Sequence, residues 1–336
     1  MLTYVRGDLF DSPAKVLVNT VNTVGVMGKG IARTFKDIYP EMFERYVKLC
    51  EQKQLDIGNL WLYRTDHKWV LNFPTKKHWR NPSKIEYIEA GLQKFVDSYA
   101  QEKITSIAFP ELGCGNGELA WNDVRPLMVR YLRTLPINIY VYLYDRTSVA
   151  PAEHKDVASM RKWLRSEPRT LAFDEFWSDI KGIVGSGKQF TKLNTSEQFA
   201  VGIVRYDQDG LLLHVGDRTW FQILRDQTRN VVNQVLQKWR LGSKRAIFIP
   251  QDSLLELWQS IRFYGFCYSK MMPGGLDLLA DYLIPILREL PFLKTVRLSV
   301  PIGGQEPLLE DGLQIYVPEV AAEPKQERVL AVSLAQ

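Results

Sequence analysis

The order of apolar and polar positions predicts alternating strands and helices over the first 145 residues. Short apolar runs of strand type, such as Lys15–Val18 and Ile104–Phe109, are each followed by a glycine-rich polar loop and then by a helix-like segment. In the first such segment Ile31, Phe35 and Ile38 recur at helical spacing. This alternation is typical of an α/β fold, in which ligands bind at the carboxyl edge of the sheet.

Two polar loops with glycines lie at that predicted edge. The first runs from Asn19 to Ala32 and contains three glycines, and the second runs from Pro110 to Leu119. Glycines let backbone N–H groups approach an anion closely, and the N-terminus of the following helix adds partial positive charge. We interpret the loops as a shared phosphate-binding site, and the alternative is a pair of ordinary strand-to-helix turns.

A basic segment with an aromatic residue, Lys76–Arg80, follows another predicted strand. Cations interleaved with an aromatic ring suit phosphate contact and base stacking, so Lys77, His78, Trp79 and Arg80 are candidate DNA contacts. A solvated charged turn has the same composition. Trp79 in particular could either stack on a base or pack against the sheet edge.

Further elements follow from local patterning. A helix is predicted to begin near Ser83, with Ser83 as N-cap and Glu86 completing a capping box. Other runs are typical of paired strands: Leu60–Tyr63 with Trp69–Phe73, and Phe199–Tyr206 with Leu211–Val215.

Composition narrows the class of protein. The chain has 336 residues, a length that suits two domains. Its residues are 46% hydrophobic and 24% charged, which is typical of globular proteins, and its net charge is +5. Neither a membrane span nor a secretory signal is evident, so we expect a cytoplasmic protein without a membrane partner. The three cysteines and four histidines are scattered, so neither a disulfide framework nor a metal site is expected. Cys114 is expected to be small and buried rather than nucleophilic.

The predicted domain organisation has four parts. An α/β domain is expected over residues 1–145, a linker and leading helix over 146–170, and an α+β domain over 171–320. Residues 321–336 are rich in Pro, Glu and Ala, which predicts a flexible tail.

Four motifs, in their order and spacing, resemble the macrodomain family: Gly7–Leu9, Asn19–Asn22, Gly25–Ala32 and Gly113–Leu119. The resemblance covers residues 1–145 nearly end to end. Within the family, Asn72–Trp79 is similar to the branch that contains the terminal ADP-ribose protein glycohydrolase and the bacterial DarG antitoxins.

The resemblance implies a mixed sheet between helices, with ADP-ribose lying across the two glycine loops. Asp8 would hold the adenine amine, although it could equally cap the next element. The loop backbones would hold the diphosphate, and Asn22 would orient the distal ribose. The full set of implied ligand-binding residues is Asp8, Leu9, Asn19, Gly28, Lys29, Gly30, Ile31, Gly113, Cys114, Gly115, Asn116 and Gly117.

In the DarG antitoxins the substrate is ADP-ribose attached to thymidine in single-stranded DNA by the toxin DarT. The resemblance thus implies ADP-ribosylated DNA and a DarT-like toxin as partners, and no cofactor. A module that only binds ADP-ribose, or a glycohydrolase acting on proteins, is the alternative. Where the terminal ADP-ribose branch carries an aspartate, this chain has Gly117, between Asn116 and Glu118.

Lys76 is the candidate catalytic residue, and Asn22 is expected to act in catalysis together with it. A neutral lysine amine can attack the opened ribose and form an imine, provided that burial or a neighbouring cation lowers its pKa. Lys77 is the alternative nucleophile, and a purely electrostatic role for these lysines is the third possibility.

Overall fold

The computed structural model describes residues 1–144, 152–205, 208–215, 246–302 and 305–317. The predicted tail, residues 321–336, and part of the predicted linker lie outside these ranges. The chain divides into two compact units: Met1–Leu164 with Thr170–Ser178, and Arg165–Arg169 with Asp179–Gln336. The described part of the predicted linker is mostly helical; its residues 152–164 belong to the first unit and residues 165–169 to the second.

A six-stranded sheet forms the first unit, in the strand order β1-β6-β5-β2-β4-β3. Only the pairing of β3 with β4 is antiparallel; the other neighbours are parallel. The strands are β1 (Leu2–Arg6), β2 (Val16–Asn22), β3 (Trp61–Tyr63), β4 (Trp69–Lys76), β5 (Ser106–Pro110) and β6 (Asn138–Leu143). This mixed α/β sheet confirms the predicted fold class, and the predicted β3–β4 pair is also confirmed.

Helices cover both faces of this sheet. They are α1 (Gly30–Ile38), α2 (Pro40–Glu51), α3 (Ile85–Ser98) and α4 (Trp121–Leu132). Two more helices, α5 (Val157–Ser166) and α6 (Phe173–Gly185), begin in the same unit. Successive residues of a strand point to opposite faces. Val16 and Val18 accordingly pack in the apolar cluster that contains Phe95 of α3, whereas Leu17 packs in the cluster that contains Phe43 of α2.

The predicted capping box at the start of α3 is wrong. The helix begins at Ile85, its N-cap residue is Lys84, and no side chain caps it. Ser83 is buried and its backbone N–H donates instead to the carbonyl of Gly117 at 3.0 Å. The residue therefore joins α3 to the second glycine loop.

The second unit contains two antiparallel sheets, ordered β10-β9-β8-β7 and β11-β13-β12. The predicted hairpin is confirmed as β8 with β9. The strands are β7 (Phe190–Thr191), β8 (Gln198–Arg205), β9 (Asp209–Val215), β10 (Ala246–Pro250), β11 (Phe266–Tyr268), β12 (Leu293–Ile302) and β13 (Gln305–Ile315), with helices α7 (Gln251–Tyr264) and α8 (Ala280–Leu287). Across the described ranges, no helix is both long and apolar enough to cross a membrane.

Candidate functional site

The ends of β2 and β4 bring Asn22 beside Lys76. The two strands are parallel, and Asn22 is the register partner of Lys76 after a bulge. Since parallel strands end at the same edge of a sheet, ligands at this edge can meet residues from both strands. The structure thus places the two residues expected to act in catalysis next to each other.

The side chain of Asn22 holds the first glycine loop in shape. Its amide nitrogen donates to the carbonyl of Val26 at 2.6 Å, and its carbonyl oxygen accepts from the backbone N–H of Val24 at 3.1 Å. The hydroxyl of Tyr46 lies 3.0 Å from the same oxygen. Burial raises the pKa of Tyr46 well above its usual value, so this hydroxyl stays protonated. Asn22 therefore positions the loop, whatever contact it makes with a ribose.

Lys76 forms a buried ion pair with Glu153. Its Nζ atom lies 3.5 Å from a carboxylate oxygen of Glu153, and the two side chains are 6% and 8% exposed. Burial lowers the pKa of Lys76, and the carboxylate opposes that shift. Burial likewise raises the pKa of Glu153, and Lys76 opposes it. Desolvation thus favours the neutral amine that a nucleophilic lysine requires.

Glu153 belongs to a segment that also contacts the second glycine loop. The imidazole Nε2 of His154 lies 2.8 Å from a carboxylate oxygen of Glu118, and Lys155 forms an ion pair with the same carboxylate. These hydrogen bonds lower the pKa of Glu118. The residues just before α5 are thereby joined to both the lysine and the loop.

The first glycine loop lies against α5. A Cβ atom at Gly28 would be 1.9 Å from Cε of Met160 and 2.7 Å from the ring of Trp163, so these side chains of α5 would have to move to admit any side chain there. Gly30, at φ +59°, begins α1 in the left-handed region that favours glycine, and a Cβ there would lie 2.8 Å from the amide nitrogen of Asn116. The two glycine loops therefore meet, as the sequence predicts.

The second glycine loop closes on itself and on the start of α3. Leu119 donates its backbone N–H to the carbonyl of Gly113 at 3.0 Å. A Cβ atom at Gly117 would lie 2.2 Å from Oγ of Ser83 and 2.4 Å from the carbonyl oxygen of Gly113. The loop consequently has no room for an aspartate at position 117. Gly115 differs, because a Cβ there would meet nothing within 4 Å.

Two residues implied as ligands have structural partners. Asp8 caps the short helix Leu9–Asp11 by accepting the backbone N–H of Phe10 at 3.0 Å, the alternative that the sequence left open. Asn19 is completely buried within β2, where its amide nitrogen lies 3.0 Å from the side-chain oxygen of Asn72. Asn19 has no exposed surface in this structure, and its role as a ligand contact stays a prediction.

The basic segment is mostly folded into the protein. Trp79 is completely buried and donates its indole N–H to the carboxylate of Glu175 at 3.0 Å, so it offers no face to a DNA base. Of the two roles that the sequence left open, the structure shows packing, and Trp79 is not a DNA contact. Arg80 pairs with the same carboxylate at 2.5 Å, and Nε2 of His78 lies 2.9 Å from Asp174. Lys77 is exposed and keeps its place as a candidate DNA contact.

His78, Asp174 and Glu175 are also close enough together to be considered as metal ligands. Their polar atoms, however, bond to protein groups: the imidazole to Asp174, and the carboxylate of Glu175 to Trp79 and Arg80. This cluster is best explained as the structural anchor of the basic segment.

Residues 18–128 match the Macro domain family. The chain carries a macrodomain. Its sequence is 46% identical over 173 residues to a DNA ADP-ribosyl glycohydrolase of Thermus aquaticus, covering 50% of this chain and 46% of that protein. It is 49% identical over 140 residues to the Mycobacterium tuberculosis protein of the same name, covering 40% of each. The chain thus spans less than half the length of these curated relatives.

A solved structure, the macrodomain of Mycobacterium tuberculosis DarG, is 46% identical to this one and matches 43% of this chain and 99% of that chain, with a TM-score of 0.42. A Thermosipho africanus fusion of a DNA ADP-ribosyl transferase with a DNA ADP-ribosyl glycohydrolase is 41% identical over 161 residues, or 42% of each chain. Human ADP-ribose glycohydrolase OARD1 is 27% identical over 142 residues, covering 42% of this chain and 90% of that protein. The predicted resemblance to DarG macrodomains is confirmed.

Three residues that contact the macrodomain loops carry no signal in the sequence: Glu153, Glu175 and Met160. All three lie beyond the last strand of the sheet, and no motif or spacing links them to Lys76, Arg80 or the first glycine loop. These contacts join residues that are far apart in the sequence, so they become visible only once the chain has folded.

Proposed function

We propose that the macrodomain removes ADP-ribose from thymidine in single-stranded DNA. The observation that carries the proposal is the position of Lys76, buried next to Asn22 at the carboxyl edge of the sheet, where both glycine loops end. The two relatives named DNA ADP-ribosyl glycohydrolase, at 46% and 49% identity, support DNA as the substrate.

The chemistry follows from the environment of Lys76. The neutral amine would bond to the anomeric carbon of the ribose as the bond from that carbon to the thymine nitrogen breaks, and this nitrogen would take up the proton of the amine and leave with the unmodified DNA. Opening of the ribose ring would turn the adduct into an imine, and addition of water to the imine would then release ADP-ribose and regenerate the amine. Burial lowers the pKa of Lys76 and so raises the neutral fraction of this side chain.

The direct test is a single-turnover assay with the metal-free protein and a thymidine-ADP-ribosylated oligonucleotide. Release of ADP-ribose with unmodified DNA as the second product would support the proposal. Tight binding of ADP-ribose without any release would indicate a binding module instead.

A glycohydrolase acting on proteins is the second candidate, because the human ADP-ribose glycohydrolase relative aligns over 90% of its own length. The same assay with an ADP-ribosylated protein separates the two. Faster release from protein than from DNA at equal enzyme concentration would favour this alternative.

We also propose that the second unit binds a DarT-like toxin, as the resemblance implies. The Thermosipho africanus relative carries a transferase and a glycohydrolase on one chain, which supports a functional link between the two activities. Cross-linking of the full chain to a purified toxin, followed by peptide mapping, tests this. Cross-links confined to residues 1–164 would contradict it.

A further inference from the structure

One segment of the first unit, residues 152–164, lies over three parts of the proposed ADP-ribose site. Glu153 pairs with Lys76, His154 bonds to Glu118 in the second glycine loop, and Met160 packs on Gly28 in the first. The contacting residues belong to two successive helices, the short helix Glu153–Lys155 and α5. The segment therefore spans both loops across which a bound ADP-ribose would lie.

The contact at Lys76 closes off the reactive atom. Nζ of Lys76 is buried, and Glu153 lies directly beside it with 8% of its own side chain exposed. A substrate carbon must come within bonding distance of Nζ for the proposed attack. It cannot do so while the Glu153 carboxylate fills the adjoining space.

The charge of Glu153 suits the place that it fills. Lys76, Lys29 and His154 all act on its carboxylate and oppose the rise that burial causes in its pKa. An anionic group held among cations beside a glycine loop is the arrangement expected for a diphosphate. The negative charge of Glu153 is thus stabilised by the same cations that would stabilise the diphosphate of the ligand.

Apolar contacts hold α5 against the first loop. Cε of Met160 occupies the position where a Cβ of residue 28 would lie. The ring of Trp163 lies within cation–π distance of Arg33 and Lys36 on α1, at 5.1 Å and 5.2 Å. The backbone of Gly28 is therefore covered on its Cβ side by the side chains of α5.

We propose that residues 152–164 are an autoinhibitory segment that occupies the ADP-ribose site and is displaced when ADP-ribose binds. The inference rests on the proposed function of this site. The apparent dissociation constant for ADP-ribose is then the intrinsic value divided by the fraction of molecules with the segment displaced. Weakening the contacts of the segment raises that fraction and tightens binding.

Hydrogen exchange of the full-length wild-type protein, with and without ADP-ribose, tests the displacement directly. Amides of residues 157–164 should lose protection when ADP-ribose is added, because this part of the helix leaves its place. A segment that closes over its ligand would gain protection, and that result would overturn the inference.

Affinity for ADP-ribose, measured by calorimetry on full-length variants, tests the competition. Met160→Ala and Glu153→Gln should each bind roughly three- to tenfold more tightly than wild type, because each lowers the population of the occupied state. Ser159→Ala is the matched control: Ser159 lies on the exposed side of α5, so its affinity should equal that of wild type.

The outcomes separate this inference from the proposed function. Unchanged affinity in Met160→Ala and Glu153→Gln, with intact release of ADP-ribose from DNA, would overturn the inference alone. Weaker binding by Glu153→Gln would also overturn it, since Glu153 would then belong to the ligand site. No binding and no release by any variant would overturn both.

Discussion

Nζ of Lys76 lies 3.5 Å from the carboxylate of Glu153, and both side chains are almost completely buried. An ion pair with this little solvent contact is costly to bury and is rarely kept for stability alone. Each partner comes from a different part of the chain, one from the end of β4 and the other from beyond the sheet. The pair therefore links the proposed reactive amine to the segment that covers it.

Replacing Lys76 by alanine should abolish hydrolysis while leaving ADP-ribose affinity within about tenfold of wild type. A group that acts on the reacting bond lowers turnover by roughly 100- to 10,000-fold but contributes less to ground-state binding. Single-turnover release from modified DNA and calorimetry would measure the two effects. Lys77→Ala, at the exposed neighbouring position, is the control; equal loss in both variants would contradict the assignment to Lys76.

Valine at position 115 should weaken ADP-ribose binding by about tenfold or more, since losing one hydrogen bond to a charged group costs about 1.5–3 kcal/mol. The fold itself tolerates a side chain there, because a Cβ at Gly115 meets nothing within 4 Å. Gly182→Val, at another open glycine, should leave affinity unchanged. Gly28→Val is a poorer test, because it collides with α5 as well as with any ligand.

Arg80→Ala should destabilise the first unit by about 3 kcal/mol, because it removes a partner from a buried carboxylate. Glu175 has no exposed side-chain surface, whereas Arg80 is partly exposed and pairs with it at 2.5 Å. Urea denaturation would measure the change in unfolding free energy. Arg64→Ala, which breaks an exposed pair with Glu102, should change stability little; equal losses in the two variants would show that burial of Glu175 is unimportant.

Stability should depend on pH through Glu153. Burial raises its pKa above the usual 4.5, so the folded protein binds this proton more tightly than the unfolded chain. The resulting stabilisation is complete below pH 4.5 and is lost as pH rises through the folded-state pKa. Relative to Glu153→Gln, the wild type should therefore lose unfolding free energy in the window just above pH 4.5. Parallel curves for the two proteins, from urea denaturation across that window, would contradict the prediction.

Much of the first unit follows from local sequence patterns. Apolar runs of strand type, helical spacing and glycine-rich loops depend on residues close together in the chain, so they predicted the strands, the helices and the sheet edge where Asn22 and Lys76 lie. The conformational freedom of glycine and the charge of a helix N-terminus are likewise local properties, and they identified both loops.

Predictions from local patterns were wrong where a contact with a residue distant in the sequence determined the local structure. Ser83 and Glu86 have the spacing of a capping box, but the backbone of Ser83 bonds to Gly117 and the helix begins two residues later. The basic residues around Trp79 are typical of a DNA contact, yet Trp79 is buried and donates a hydrogen bond to the buried carboxylate of Glu175.

By itself the sequence determined the α/β fold of the first unit, its resemblance to macrodomains and the identity of the lysine at the end of β4. Only the tertiary structure decided what lies beside that lysine. The neighbours of Lys76 and Gly28 named here come from residues 152–164, and side-chain burial, ion pairing and pKa depend on three-dimensional distance rather than on separation along the chain.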